Sequence, residues 1–161
     1  MSNIADKIEN SVLLTDIFGR WPSFHDAEVI SIELFRNPKG TGEPSLRAKI
    51  HTFEMTPEID NRGFYILKNH VLATILFRGI DENHVAGFNQ QNVLRDLVIT
   101  DISSRQLERL GFEVRFPSSF GVEAEFKCRA VEVEAVELVG PGEDMAFPSQ
   151  STPKAGAYKP N

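Results

Sequence analysis

The strongest constraint on this chain is a change of period. From about residue 27 onward, apolar side chains recur at every second position, in short runs separated by turn residues. Such a chain buries one face of several strands. Ile30, Ile32 and Leu34 alternate with Ser31, Glu33 and Phe35, which predicts a strand over 27–36. Leu46, Ala48, Ile50 and Thr52 predict a second over 45–55, and Val71, Ala73, Ile75 and Phe77 a third that ends near Gly79. Weaker alternation follows over 83–89, and stronger alternation over 92–101, with Val93, Leu97 and Ile99 on one face. Phe112, Val114 and Phe116 alternate again. Val122, Ala124, Phe126 and Cys128 share a face, and residues 131–139 continue the pattern. Ala135-Val136 breaks that last alternation, which predicts a bulge or a strand switch. The connections are too short for parallel crossovers, so the strands are expected to pair antiparallel.

Before the strands the period is helical. Ile4, Ile8 and Val12, extended by Leu13, Leu14 and Ile17, predict a helix over 3–18 that Gly19 stops. Asn10-Ser11 are cap-forming residues that can split it in two. A further short helix is expected from Ser103 to Leu110, closed by Gly111. The expected fold class is therefore α+β. It is a single domain over 1–139, an antiparallel meander of about six or seven strands with the N-terminal helix packed on it. Residues 140–161 hold four prolines and three glycines and have little to bury, so they read as a tail.

The chain has 161 residues, one domain's worth, and 41% of them are hydrophobic, enough for a core that needs no metal or disulfide. With 23 acidic against 17 basic residues the net charge is −6, which argues against general nucleic-acid binding and against a basic membrane surface. The acidity is local. Residues 130–144 contain Glu132, Glu134, Glu137, Glu143 and Asp144 with no base, and residues 23–35 contain Asp26, Glu28 and Glu33 with no base. Either window is a solvated face or a surface for a basic partner. The first residues lack the basic and apolar regions of a signal peptide, and no apolar run approaches the roughly 18 residues of a membrane span, so the cytoplasm is the expected location.

The densest constellation is Trp21-Pro22-Ser23-Phe24-His25-Asp26-Ala27-Glu28. Trp21 and Phe24 are suited to anchoring a corner in the core, and His25 and Asp26 to satisfying turn backbone. Alternatively, Asp26 and Glu28, two apart, project from one strand face and with His25 grip a cation or basic partner. An acid–base pair built from His25, Asp26 and Glu28 is the enzymatic alternative, a small hydrolase or ligand-binding enzyme. No nucleophile elbow, phosphate-binding glycine loop or dinucleotide fingerprint supports it. Cys128 lies on an apolar strand face and reads as core. The four histidines His25, His51, His70 and His84 are scattered without metal-motif spacing, so no metal and no cofactor is expected. Gly87-Phe88-Asn89-Gln90-Gln91-Asn92 reads as a turn that satisfies itself through its amides.

The stretch from Trp21 to Val29 resembles the signature region of the immunity protein 50 family. His51-Thr52-Phe53-Glu54-Met55-Thr56 and Phe88-Asn89-Gln90-Gln91-Asn92-Val93 are also similar to it, and the likeness spans residues 10–139. The resemblance implies a bacterial antitoxin that binds the toxic domain of a polymorphic toxin inside the producing cell, without catalysis. The partner would be that cognate toxin domain, with a basic nuclease as one class the acidity suits. Trp21, Phe24, His25, Asp26 and Glu28 are the matching partner-binding candidates, and Glu132, Glu134 and Glu137 join them on charge alone. The sequence sets no oligomeric state.

Overall fold

The computed structural model describes residues 3–140, apart from the side chain of Lys39, and the backbone of 157–158. The described residues are mostly strand, 55% of them, with one short α-helix among them. The strands are β1 (Glu28–Phe35), β2 (Ser45–Ile59), β3 (Tyr65–Arg78), β4 (Asp81–Ala86), β5 (Val93–Leu94), β6 (Val98–Asp101), β7 (Phe112–Phe116), β8 (Ser118–Phe120), β9 (Glu123–Cys128), β10 (Ala130–Leu138) and β11 (Ala157–Tyr158). They form two antiparallel sheets rather than the one expected meander. Sheet A runs β10-β3-β2-β1-β5-β8, with β11 joining on β3, and sheet B runs β4-β9-β7-β6.

The alternation sets which face is buried. In sheet A, Leu46, Ala48, Ile50, Val71, Ala73, Ile75, Phe77, Val131 and Val133 have no more than 1% of their surface exposed. Their register pairs place them on one face. Sheet B supplies Val114, Phe116, Phe126 and Cys128 to the same core. Phe77 bridges the layers, its ring 5.1 Å from Phe126 and 6.1 Å from Phe116. The two sheets therefore share one core across a face-to-face contact.

Two further expectations change, while the split allowed for at Asn10-Ser11 is found. The N-terminal segment is a 3-10 turn (Ile4–Lys7) and a helix α1 (Val12–Phe18), split where Asn10 takes a left-handed φ of 57°. Helix α1 contacts β10 and β3 and buries Leu14, while Val12 and Leu13 stay exposed. Between the two, Glu9 forms a parallel bridge with Glu132, covering part of the β10 edge. The segment 92–101 is not one strand. It pairs in sheet A as β5, then crosses to sheet B as β6. The expected helix from Ser103 to Leu110 is a single 3-10 turn (Ser103–Arg105), because Gln106 and Glu108 both adopt left-handed φ values of 54° and 46°. The irregularity expected at Ala135 is a bulge, where the β10–β3 register shifts between Val133 and Ala135. Of the expected tail, Ala157 and Tyr158 pair with Ile66 and Tyr65. The rest, including Glu143 and Asp144, lies outside the described residues.

Candidate functional site

The stretch from Trp21 to Glu28 connects α1 to β1. Phe24 is wholly buried, and Trp21 is half-buried against it with the rings 5.7 Å apart. Burial holds the connector at both aromatics, and between Phe24 and Ala27 the chain makes a turn closed by a 3.0 Å bond from Ala27 N–H to the Phe24 carbonyl. His25 and Asp26 are its central residues. Asp26 has a φ of 64°, a conformation that Asp tolerates better than most residues. Asp26 therefore lies in the turn ahead of β1. The expectation that Asp26 and Glu28 project together from one strand face is corrected by that left-handed turn.

His25 is 59% exposed at its side chain, and its Nδ1 donates to the Arg95 carbonyl at 3.0 Å. That bond directs Nε2 outward, 3.9 Å from Asp26 Oδ2. The separation is too long for the hydrogen bond that an acid–base pair requires. Asp26 Oδ2 is buried and has no hydrogen-bond partner.

The same turn is stitched to its surroundings. Asp26 N–H donates to Leu94 O (3.0 Å), Leu94 N–H to Ala27 O (2.8 Å) and Val29 N–H to Asn92 O (2.8 Å). Thr52 Oγ1 donates to Ser23 O at 3.3 Å. Glu28 stands opposite Val93 on one side and His51 on the other. The three stretches that resemble the immunity family thus meet at the end of sheet A where β1 begins, although 21 residues separate the first from the second and 31 the second from the third.

Two polar clusters hold that end. Asn92 is 3% exposed and uses its whole amide. Its Oδ1 accepts from Asn89 N–H (2.9 Å) and Val122 N–H (3.1 Å), and its Nδ2 donates to Asn89 O (2.7 Å) and Val29 O (3.4 Å). His51 and His70 are likewise buried, with His51 Nε2 3.1 Å from His70 Nδ1 and the Phe53 ring beside both. One ring donates and the other accepts, so the accepting ring is neutral. Burial and the neighbouring His70 push His51 down to about 4, and burial lowers His70 as well. His70 Nε2 is left buried without a partner. Sequence reasoning missed this pair and the Asn92 clamp. Hairpin arithmetic supplies the signal for the histidines, because a turn near Arg62 brings residue 51 opposite residue 72.

The acidic window of β10 is different from its sequence. Glu134 accepts from Arg47 Nε at 2.6 Å and Nη2 at 3.2 Å, and Arg47 also stacks on Phe35, 4.8 Å from the ring centre. Glu132 accepts from Arg78 (3.3 Å) and Asn10 (3.4 Å), while Arg78 also binds Glu9 at 2.5 Å. Neighbouring strands thus neutralise two of the acids, and Glu137 remains exposed on the same strand. Cys128 is buried, and burial pushes its thiol up to about 12, which removes it as a nucleophile at neutral pH.

Among the described residues, no group of three or more His, Cys, Asp and Glu side chains could hold a metal ion, and no helix is long and apolar enough to cross a membrane. Cavities of about 170 and 280 Å³ lie elsewhere, one on sheet B between Glu82, Glu113 and Lys127, the other between Glu43, Leu107 and Arg129. No curated protein and no solved structure matches the chain. The family model of immunity protein 50 matches residues 10–139, from just before α1 to the end of β10. That span covers strands β1 to β10 and all three stretches that meet at the end of sheet A, and the chain belongs to the immunity protein 50 family.

Proposed function

We propose that this protein binds and neutralises a cognate bacterial toxin domain by occlusion, without catalysis, in the cytoplasm of the cell that makes both. The observation that carries the reading is the family match across nearly the whole described body. Geometry supports it. The turn bearing His25 and Asp26 faces outward from a rigidly bonded base, with Trp21 beside it. Preformed surfaces of this kind lose little entropy on association. Trp21, His25, Asp26, Glu28 and Glu137 are the contact residues in this reading, and Phe24 acts from the core by fixing Trp21 and the turn. Glu132 and Glu134 contribute through ion pairs that a basic partner can compete for. The net charge of −6 suits a basic toxin surface such as a nuclease groove. The enzymatic alternative has less support, because His25 and Asp26 do not form a hydrogen-bonded pair.

Coexpression with the toxin encoded beside this gene tests the reading. The expected result is a copurifying complex and growth of cells that the toxin alone kills. Absence of both would falsify it.

A further inference from the structure

We propose that Phe88 and Phe120 form the apolar anchor of the toxin interface, and that Asp26 beside them takes a basic side chain of the toxin. The proposal rests on the immunity reading above and adds two aromatic residues, Phe88 and Phe120, which that reading does not include.

Phe120 is 62% exposed and Phe88 49%, a large apolar area to leave in water. Each sits one residue from a glycine of a close backbone contact. A Cβ on Gly87 would lie 2.7 Å from the Gly121 carbonyl oxygen, and one on Gly121 would lie 2.3 Å from the Gln91 carbonyl oxygen. Both glycines have a φ of 75°. The two loops are therefore packed backbone to backbone, and Asn92 clamps them by bonding Asn89 and Val122 at once. The aromatics are exposed on a stiff base. Exposed aromatics on a preorganised surface are the usual centre of a protein interface.

Position and charge select the occupant. Strand β8 ends the order of sheet A, and among the described residues no strand pairs beyond it. Phe120 stands opposite Val93, and Val93 opposite Glu28, so Phe120 shares a sheet face with that carboxylate about 10 Å away. Asp26 N–H is bonded to the next residue of β5, Leu94, and its side chain is 20% exposed. The segments that meet here, 23–28, 92–96 and 118–123, carry Asp26, Glu28, Asp96 and Glu123 against one base, Arg95, whose Nη2 donates to Ser118 O. A partly exposed carboxylate, set in an acidic surround near exposed aromatics, fits a Lys or Arg on the rim of an apolar cleft.

The test uses the full chain and the toxin encoded beside it, with affinity read by calorimetry. Phe88→Ser combined with Phe120→Ser is expected to weaken binding by about 100-fold or more with an unchanged melting temperature. Leu34→Ser combined with Leu138→Ser, where the leucines are 58% and 72% exposed elsewhere, is expected to change it less than about twofold. Asp26→Asn keeps a side chain that tolerates the left-handed turn and is expected to cost about tenfold, with a shallower salt dependence. If the double variant melts early, Phe120→Ser alone carries the test. Wild-type affinity in the phenylalanine variants overturns the proposal. So does a wild-type dimer that these variants dissolve while toxin affinity stays unchanged. A wild-type chain that binds no toxin instead removes the immunity reading itself, which separates the two failures.

Discussion

The two ends of sheet A are buried by different chemistry. At one end Phe77 meets Phe116 and Phe126 of sheet B in an apolar cluster with no polar partner to satisfy. At the other end buried polar groups, His51, Thr52, His70 and Asn92, join Phe24, Val29 and Leu94, and each polar group is held by a directed bond. Burial of aromatic area is non-directional and large, so the first end mainly sets stability. Hydrogen bonds contribute less net energy but demand particular atoms in particular places, so the second end mainly sets shape. The stretches that carry the family likeness gather at the second end, as expected if that end presents a recognition surface.

The sharpest way to break this contrast is Phe126→Ala. Loss of a fully buried ring that touches Phe77 and Phe116 is expected to cost about 3–5 kcal/mol, read as a lower urea midpoint with an unchanged slope. Asn92→Ala comes next, at about 2–3 kcal/mol, because Asn89 and Val122 N–H groups lose their acceptor together. Its signature is local. Hydrogen exchange at those two amides should accelerate while amides of β3 and β9 change only with global stability. A cost for Asn92→Ala above that of Phe126→Ala would reverse the assignment of the two ends.

The smallest effect is a pH dependence confined to the polar end. His51 and His70 both have folded pKa values below the ordinary 6.5, so the unfolded chain binds more protons as pH falls. Stability is therefore full above about pH 6.5 and declines toward pH 4, by on the order of 2 kcal/mol. His51→Gln should flatten that window and leave the steeper loss below pH 4, where carboxylates such as Asp60 and Glu43, held low by their hydrogen bonds, begin to protonate. A slope over pH 4–6.5 that persists unchanged in His51→Gln would remove the histidine pair as its source.

Alternation made β1, β2, β3, β7, β9 and β10 legible, together with the bulge beside Ala135, because β7 and β9 bury one face for their whole length and the others for part of it. The crossing from β5 to β6 was legible only as a change of parity. Leu94 and Leu97 are both buried, three apart, so the buried face changes between them. The expected helix after Ser103 rested on a cap residue and a closing Gly111, and neither Leu107 nor Leu110 is buried enough to offset two left-handed residues. At the site, the motif named the turn but not what it leans on. Arg95, Asn92 and His70 come from distant segments, and their roles depend on register. The acidic window of β10 misled for the same reason, since Arg47 and Arg78 lie on β2 and β3.

The placement of β3 between β2 and β10 has a consequence for synthesis on the ribosome. Strands β1 to β3 are consecutive hairpins and can pair as soon as they emerge. The other edge of β3 waits for β10, whose first pair, Ala130 with Arg78, is separated by 52 residues. At ordinary elongation rates that is roughly 3 to 10 seconds with an apolar strand edge unpaired. Nascent chains are most open to misassociation during that interval, so chaperone dependence or aggregation should rise when translation is slowed between codons 79 and 130.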